Sequence, residues 1–220
     1  KLYLDPNGYH GTTASTLALT TPETNDFGSS VTQGENDLVK AVVADYSAGD
    51  MHCAASGLCS DPLTIFTYSQ SSVVASLAEQ QLADDKIPTD ALRFVMVGDT
   101  ASAQGGFLNT LAETPMGTTI LDDLGWQNLV GDTTPHHLYP TEVYTIDGDY
   151  WADPLNAGSG GATLNDVYLG LALHAAYLGL TPAEIDSATP VVDGMTTYFD
   201  IPTLSGAELW DALLNAYSAL

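Results

Sequence analysis

The chain has 220 residues, 45% of them hydrophobic, enough for one α/β domain with a sizeable core, and length alone favours a single domain spanning residues 1–220. Its 28 acidic against 4 basic residues exclude binding to nucleic acid or anionic lipid headgroups, because nothing is present to neutralise a row of phosphates. The acid excess is read as the solubilising surface of a secreted or salt-adapted protein, not as an acidic binding function.

Short apolar, β-branched or aromatic runs are expected as strands at Leu2–Leu4, Leu63–Tyr68, Arg93–Val97 and Glu142–Ile146. Helical patterns lie between them, and alternation of this kind predicts a mostly parallel central sheet with helices packed on it. The chain starts almost directly with the apolar "LYL", so no signal-peptide pattern is visible, although a chain trimmed of one would look the same. A polar loop is expected from Asp5 to Asn36, followed by a helix over Asp37–Tyr46. The two cysteines, Cys53 and Cys59 in "MHCAASGLCSDP", suit one local disulfide, against two reduced thiols, and hint at an oxidising compartment. Zinc would need more ligands than the neighbouring His52, so no metal is expected there.

After the strand ending at Tyr68, "VVASLAEQQLA" puts apolar residues at helical spacing over Ser72–Ala83. A second long polar loop is expected from Asp147 to Gly161, and loops of that length are usually functional. Its "GSGGA" from Gly158 neither follows a strand nor carries a lysine, so it reads as a connector and not a phosphate loop. "VYLGLALHAAYLGL" from Val167 contains a histidine and is too short to span a bilayer, so a soluble protein is expected. "TLND" from Thr163, "TPAE" from Thr181 and "SGAE" from Ser205 carry helix-start signals: a hydroxyl at the cap, an acid three residues on, and Pro182 at the first helical position.

The stretch "TYSQS", Thr67 to Ser71, stands where a strand ends and a helix begins. A serine hydroxyl is a poor nucleophile until a base takes its proton and donors hold the oxyanion. In the nucleophile elbow a sharp strand-to-helix turn exposes the hydroxyl, and small residues two before and two after it make room. Ser69 is the candidate, with small Ser71 on one side and β-branched Thr67, the more troubling substitution, on the other. The alternative is an ordinary serine in a turn.

Chain order tests the candidate independently, since acid and then histidine follow the serine in such a fold. Of His10, His52, His136, His137 and His174, only His174 follows both Ser69 and the acidic segment "DGDYWADP". A lone histidine in an apolar helix is otherwise usually a core residue. The acid is open among Asp147, Asp149 and Asp153, one of which must be buried to hold the imidazole tautomer. The same segment looks superficially like a calcium loop, but Trp151 stands where an oxygen ligand belongs.

Ser69 in "TYSQS", the strand end "YTIDGDYWADP" and "HAAY" from His174 resemble, in order and spacing, the PE-PPE domain, a serine α/β-hydrolase module related to cutinases in mycobacterial cell-envelope proteins. "LYLDPNG" is similar to the start of that domain, and "VGDTASAQGGF" to its "NPxxPNGG" segment. Thr67 in place of glycine, Asp99 in place of asparagine, and an extra residue between the aspartates depart from the pattern. The resemblance implies an α/β-hydrolase-like fold with helices on both faces, and an esterase or acyltransferase acting on acyl or glycolipid esters without cofactor. Ser69 is then the nucleophile, His174 the base, and Asp153 the favoured acid on its D-P context, with Asp147 as runner-up. Gln70 N–H would be one oxyanion donor, with the second near Asn7 or Gly8. Tyr150, Trp151 and Leu155 would line an acyl groove or simply pack the domain. The rivals are a non-catalytic binding module on the same fold, for which Thr67 argues, and a peptidase with the same triad. Phosphoryl transfer has neither a Walker loop nor the cations it needs.

Overall fold

The computed structural model describes residues 2–4, 16–22, 26–129, 137–154 and 164–219. Its strands are β1 (Leu63–Tyr68), β2 (Leu92–Val97), β3 (Thr141–Ile146), β4 (Thr189–Asp193) and β5 (Thr196–Ile201). They form one sheet in the order β1-β2-β3-β5-β4. Neighbours from β1 to β5 run parallel, and β4 returns antiparallel along the β5 edge. The helices are α1 (Phe27–Ala48), α2 (Gln70–Asp84), α3 (Phe107–Ala112), α4 (Pro115–Leu124), α5 (Leu164–Ala176), α6 (Pro182–Asp186) and α7 (Gly206–Ala219).

Strand side chains alternate between faces, and β2 shows both sides buried: Phe94 and Met96 join one core, Val95 and Val97 the other. The first core is closed by α1 and α2 through Val31, Leu38, Val42, Val73, Ala78 and Leu82. The second is closed by α5, α6 and α7 through Leu173, Ala176, Ile185, Leu209 and Ala212. Phe94–Val97 of β2 are buried on both faces, so "RFVMV" reads as a near-continuous apolar run, whereas the edge strand β1 buries Ile65 and Thr67 on one face and leaves Phe66 exposed on the other. Each large apolar side chain so buried contributes roughly 1.5–3 kcal/mol. This is an α/β-hydrolase-like architecture.

Four expectations are corrected. Leu2–Leu4 is a turn, not a strand; Tyr3 anchors it in the second core, donating its hydroxyl to Tyr177 O at 2.8 Å and packing edge-on to Tyr144. The loop expected up to Asn36 ends at Asp26, whose side chain accepts from Ser29 N and caps the longer α1. The hairpin β4–β5 is not among the expected strands: all five residues of β4 are exposed and offer no burial alternation, with Pro190 tolerated there on an edge, while β5 carries Thr196, Thr197 and Asp200 in place of an apolar run although it lies inside the sheet. Helices α3 and α4 lie where no helix is expected, although Thr114 capping Gly117 N and Pro115 at the first position of α4 are start signals. The starts read at Thr181 and Ser205 open α6 and α7, the first with a reciprocal capping box. Cys53 and Cys59 form a disulfide at an S–S distance of 1.97 Å. Among the described residues no helix is long and apolar enough to cross a membrane.

Candidate active site

Ser69 is the single residue between β1 and α2, and its backbone adopts φ 57° and ψ −124°. A positive φ is uncommon for a residue with a side chain and marks a turn held by its surroundings. Three contacts hold it: Ser69 N donates to Val97 O at 2.9 Å, Ser72 N donates to Ser69 O at 2.9 Å, and Tyr68 N donates to Ser71 Oγ at 2.8 Å. Ser71 Oγ in turn donates to Tyr68 O at 2.7 Å. Thr67, whose branching looks awkward in the sequence, is buried with its hydroxyl 3.1 Å from Ser72 Oγ. Hydroxyls at positions 67, 71 and 72 thus brace the turn that glycines would otherwise make room for.

His174 comes from the last turn of α5. Its Nε2 lies 2.7 Å from Ser69 Oγ, and its Nδ1 lies 3.0 and 2.8 Å from the two carboxylate oxygens of Asp149. Tyr68 stacks on the imidazole with ring centroids 5.4 Å apart, and its hydroxyl donates to His174 O. Burial and the nearby Asp149 push the Tyr68 phenol up to about 12, so it remains a donor at neutral pH. Gly98, just past β2, has φ 60°, and a Cβ there would sit 3.0 Å from Tyr177 Cε2 and 3.1 Å from His174 Cε1. Gly98→Ala is therefore expected to destabilise the protein by about 1–2 kcal/mol through left-handed backbone strain. It should also cut any Ser69-dependent activity by roughly tenfold or more by displacing the imidazole. Thermal melts and ester turnover check the two effects separately.

The carboxylate at His174 belongs to Asp149, and the sequence-based choice of Asp153, with Asp147 second, is corrected here. Gly148, at φ 88°, turns the chain as it leaves β3, and Asp149 N returns to Ile146 O at 3.0 Å. That turn sends the Asp149 side chain inward, where it is fully buried (0% exposed). Asp149 Oδ1 accepts from Trp151 N at 2.9 Å, and Oδ2 accepts from the Tyr177 hydroxyl at 2.8 Å. Asp153 turns back on the same loop, where its Oδ2 accepts from Gly148 N at 3.0 Å. Asp147 stands at the rim, its carboxyl pushed up by partial burial and by the charges of Asp153 and Asp200. The turn at Gly148, the residue directly before it, is what separates Asp149 from its neighbours, since it brings that position back under β3.

Gln70 opens α2, so its backbone N–H is among the donors the helix ladder leaves unpaired. Asn7 and Gly8, expected as the second oxyanion site, lie outside the described residues, as do His10, His136 and Leu155. Tyr150 and Trp151 pack on Phe107 of α3, with ring centroids 5.9 and 5.0 Å away, as the packing alternative expects. A cavity of about 750 Å³ between α1 and α4 is lined by residues such as Asp26, Gln33, Lys40 and Asn128, and none of the residues around Ser69 borders it. Among the described residues no cluster of histidine, cysteine or acidic side chains could hold a metal. A serine hydroxyl bonded to an imidazole, itself bonded to a buried carboxylate, is an arrangement that can move a proton off the serine.

The sheet with helices on both faces, and the serine on a strand-to-helix turn, define an α/β-hydrolase-like protein. The chain belongs to the PE-PPE domain family, which it matches over residues 9–205. It is similar to the uncharacterized PPE family protein PPE28 of Mycobacterium tuberculosis, 33% identical over 187 residues, covering 80% of this chain and 25% of that protein. The chain thus spans about a quarter of the length of that relative. No solved structure gives a significant match.

Proposed function

We propose that this chain is a serine esterase that cleaves acyl esters through a covalent acyl-enzyme. The observation that carries the reading is the continuous hydrogen-bonded path from Ser69 Oγ through His174 to the buried Asp149, mounted on a backbone turn at positive φ. In the first half-reaction Ser69 Oγ attacks the acyl carbonyl carbon while its proton passes to His174 Nε2. The carbonyl oxygen takes up the negative charge, and Gln70 N–H supplies one donor to it. His174 then gives its proton to the leaving alkoxide as the ester C–O bond breaks. In the second half-reaction an acceptor hydroxyl, deprotonated by His174, attacks the acyl-enzyme and releases Ser69 with its proton restored. Asp149 holds the Nδ1–H tautomer and balances the imidazolium that forms in both halves.

The acceptor is water in a hydrolase and a sugar hydroxyl in an acyltransferase, and the residues around Ser69 serve both. Lipid-like acyl esters are the proposed substrate class, on the strength of the family's relation to cutinases. The disulfide Cys53–Cys59 supports placing the reaction outside the cytosol, in a secreted or envelope-associated setting. Thr67 is the feature that favours a non-catalytic binding module, and the pairing of its hydroxyl with Ser72 Oγ within the turn supports the esterase reading against it.

Hydrolysis of p-nitrophenyl butyrate tests the reading. The wild type is expected to turn over this ester, and Ser69→Ala to lose on the order of 10⁶ in kcat with an unchanged melting temperature. A folded wild type no faster than Ser69→Ala would overturn it. Adding a sugar alcohol and following acylated sugar against free acid by mass spectrometry separates transfer from hydrolysis.

A further inference from the structure

We propose that Tyr177 is a positioning residue that fixes the carboxylate of Asp149 on the imidazole of His174. The inference rests on the reading of Ser69, His174 and Asp149 as a catalytic triad. Tyr177 follows α5 by one residue, three positions after His174, so the two side chains leave neighbouring turns toward the same buried space. The phenol is fully buried (0% exposed) and makes two hydrogen bonds of opposite sense. It accepts from Ile146 N at 2.8 Å, and it donates its only proton to Asp149 Oδ2 at 2.8 Å.

These two bonds leave the hydroxyl one orientation. A backbone N–H can only donate, so Tyr177 must spend its lone pair on Ile146 and its proton on Asp149. Burial and the adjacent carboxylate push the Tyr177 phenol far above its ordinary range, so it does not ionise. The groups facing it are Asp149 from the loop after β3, His174 from α5, Tyr3 from the N-terminal turn and Tyr68 from the end of β1. Neither lysine nor arginine is among them, so the donors to Asp149 among the described residues are Trp151 N, the Tyr177 hydroxyl and His174 Nδ1.

Asp149 is thereby clamped from two sides. Trp151 N holds Oδ1, Tyr177 holds Oδ2, and His174 Nδ1 sits against both oxygens. The Ile146 bond ties this clamp to the last residue of β3, and so to the sheet that also carries Ser69 one strand beyond β2. Tyr177 thus links the acid to the same rigid frame as the nucleophile, although it touches neither substrate nor the reacting serine.

Tyr177→Phe removes the hydroxyl and keeps the ring. Its kcat on p-nitrophenyl butyrate is expected to fall about tenfold with KM unchanged, the size expected for losing a hydrogen bond to a charged group. The proton signal of His174 Nδ1–H in a ¹H NMR spectrum should also shift or broaden. Tyr139→Phe is the comparison, because it deletes another buried tyrosine hydroxyl, which donates to Ile87 O at 3.0 Å in the first core, without touching Tyr177 or Asp149; it should lower the melting temperature while leaving kcat and the His174 signal in place. If Tyr177→Phe fails to fold, a fluorinated tyrosine at that position keeps both bonds and strengthens the donor, and the same signal should move. Wild-type kcat and an unmoved His174 signal in Tyr177→Phe would overturn the inference, as would an equal loss of kcat in Tyr139→Phe. A wild type without esterase activity would sink the esterase reading alone, and the His174 signal would still decide the role of Tyr177.

Discussion

Asp149→Asn is expected to lower kcat on a soluble ester by about 10⁴-fold, the scale set by the same change in a serine protease triad, without unfolding the protein. Asp149 accepts from three directions: His174 Nδ1, Trp151 N and the Tyr177 hydroxyl. An asparagine offers one oxygen and one NH₂ group. If the oxygen keeps Tyr177, the NH₂ faces the imidazole and forces the tautomer that cannot take the serine proton. If the amide turns over, the NH₂ faces a phenol whose proton already points inward. The contrast with the neighbouring acids makes the test specific. Asp153→Asn keeps an oxygen for Gly148 N, and Asp147 stands at the rim, so both variants should turn over ester close to the wild-type rate. Steady-state kinetics on the three variants decide the matter, and a crippled Asp153→Asn beside an active Asp149→Asn would reverse the assignment.

Glu79→Gln is expected to raise the melting temperature at neutral and alkaline pH, and to leave it nearly unchanged near pH 4. Glu79 lies on α2 and is fully buried (0% exposed) in the sheet-facing side of the helix. Its Oε1 is 3.3 Å from the Thr141 hydroxyl, and its Oε2 is buried with no hydrogen-bond partner. Burial, opposed only in part by the Thr141 bond and reinforced by the charge of Asp99, pushes its carboxyl well above the ordinary range. The folded protein therefore holds a proton that the unfolded chain gives up at its lower, ordinary pKa. Stability from this group is present below the unfolded pKa and is lost as pH rises from there through the folded value. Glutamine stays neutral throughout and removes that loss. For a chain of this size each kcal/mol recovered corresponds to roughly 2–4 °C. Melts of both proteins from pH 4 to pH 9 should diverge upward with pH. Parallel curves would show that Glu79 is already satisfied in its charged form. The surface acids contribute the same background to both curves, so the difference isolates position 79.

Much of the candidate site is legible in the sequence. Ser69 was found because an apolar run ends one residue before it and a helical pattern begins just after. His174 was found by order along the chain, since the other histidines precede either Ser69 or the third strand. Both arguments use one-dimensional information that the fold preserves. Asp149 is not identifiable among three acids within seven residues, where the D-P context points to Asp153, because nothing in the string shows which carboxylate turns inward. What distinguishes them is the direction in which Gly148 turns the chain, and that is a matter of a dihedral angle. Tyr177 was visible only as the end of "HAAY"; nothing in that string shows that its hydroxyl meets a carboxylate from another segment. Nothing in the sequence singles out Glu79, whose burial follows from α2 lying on the sheet with Thr141 beneath it. The exposed strand β4 and the helices α3 and α4 were missed for the opposite reason, because they are short or bury little and so leave weak periodicity to read.

Whether Ser69 is an activated nucleophile is tested most directly by reaction with a fluorophosphonate followed by intact mass and peptide mapping. One phosphonyl adduct is expected on the wild type, located on the peptide containing Ser69, and none on Ser69→Ala under the same conditions. A folded wild type that stays unlabelled while a known serine esterase in the same tube reacts, or an adduct that persists on Ser69→Ala, would contradict it.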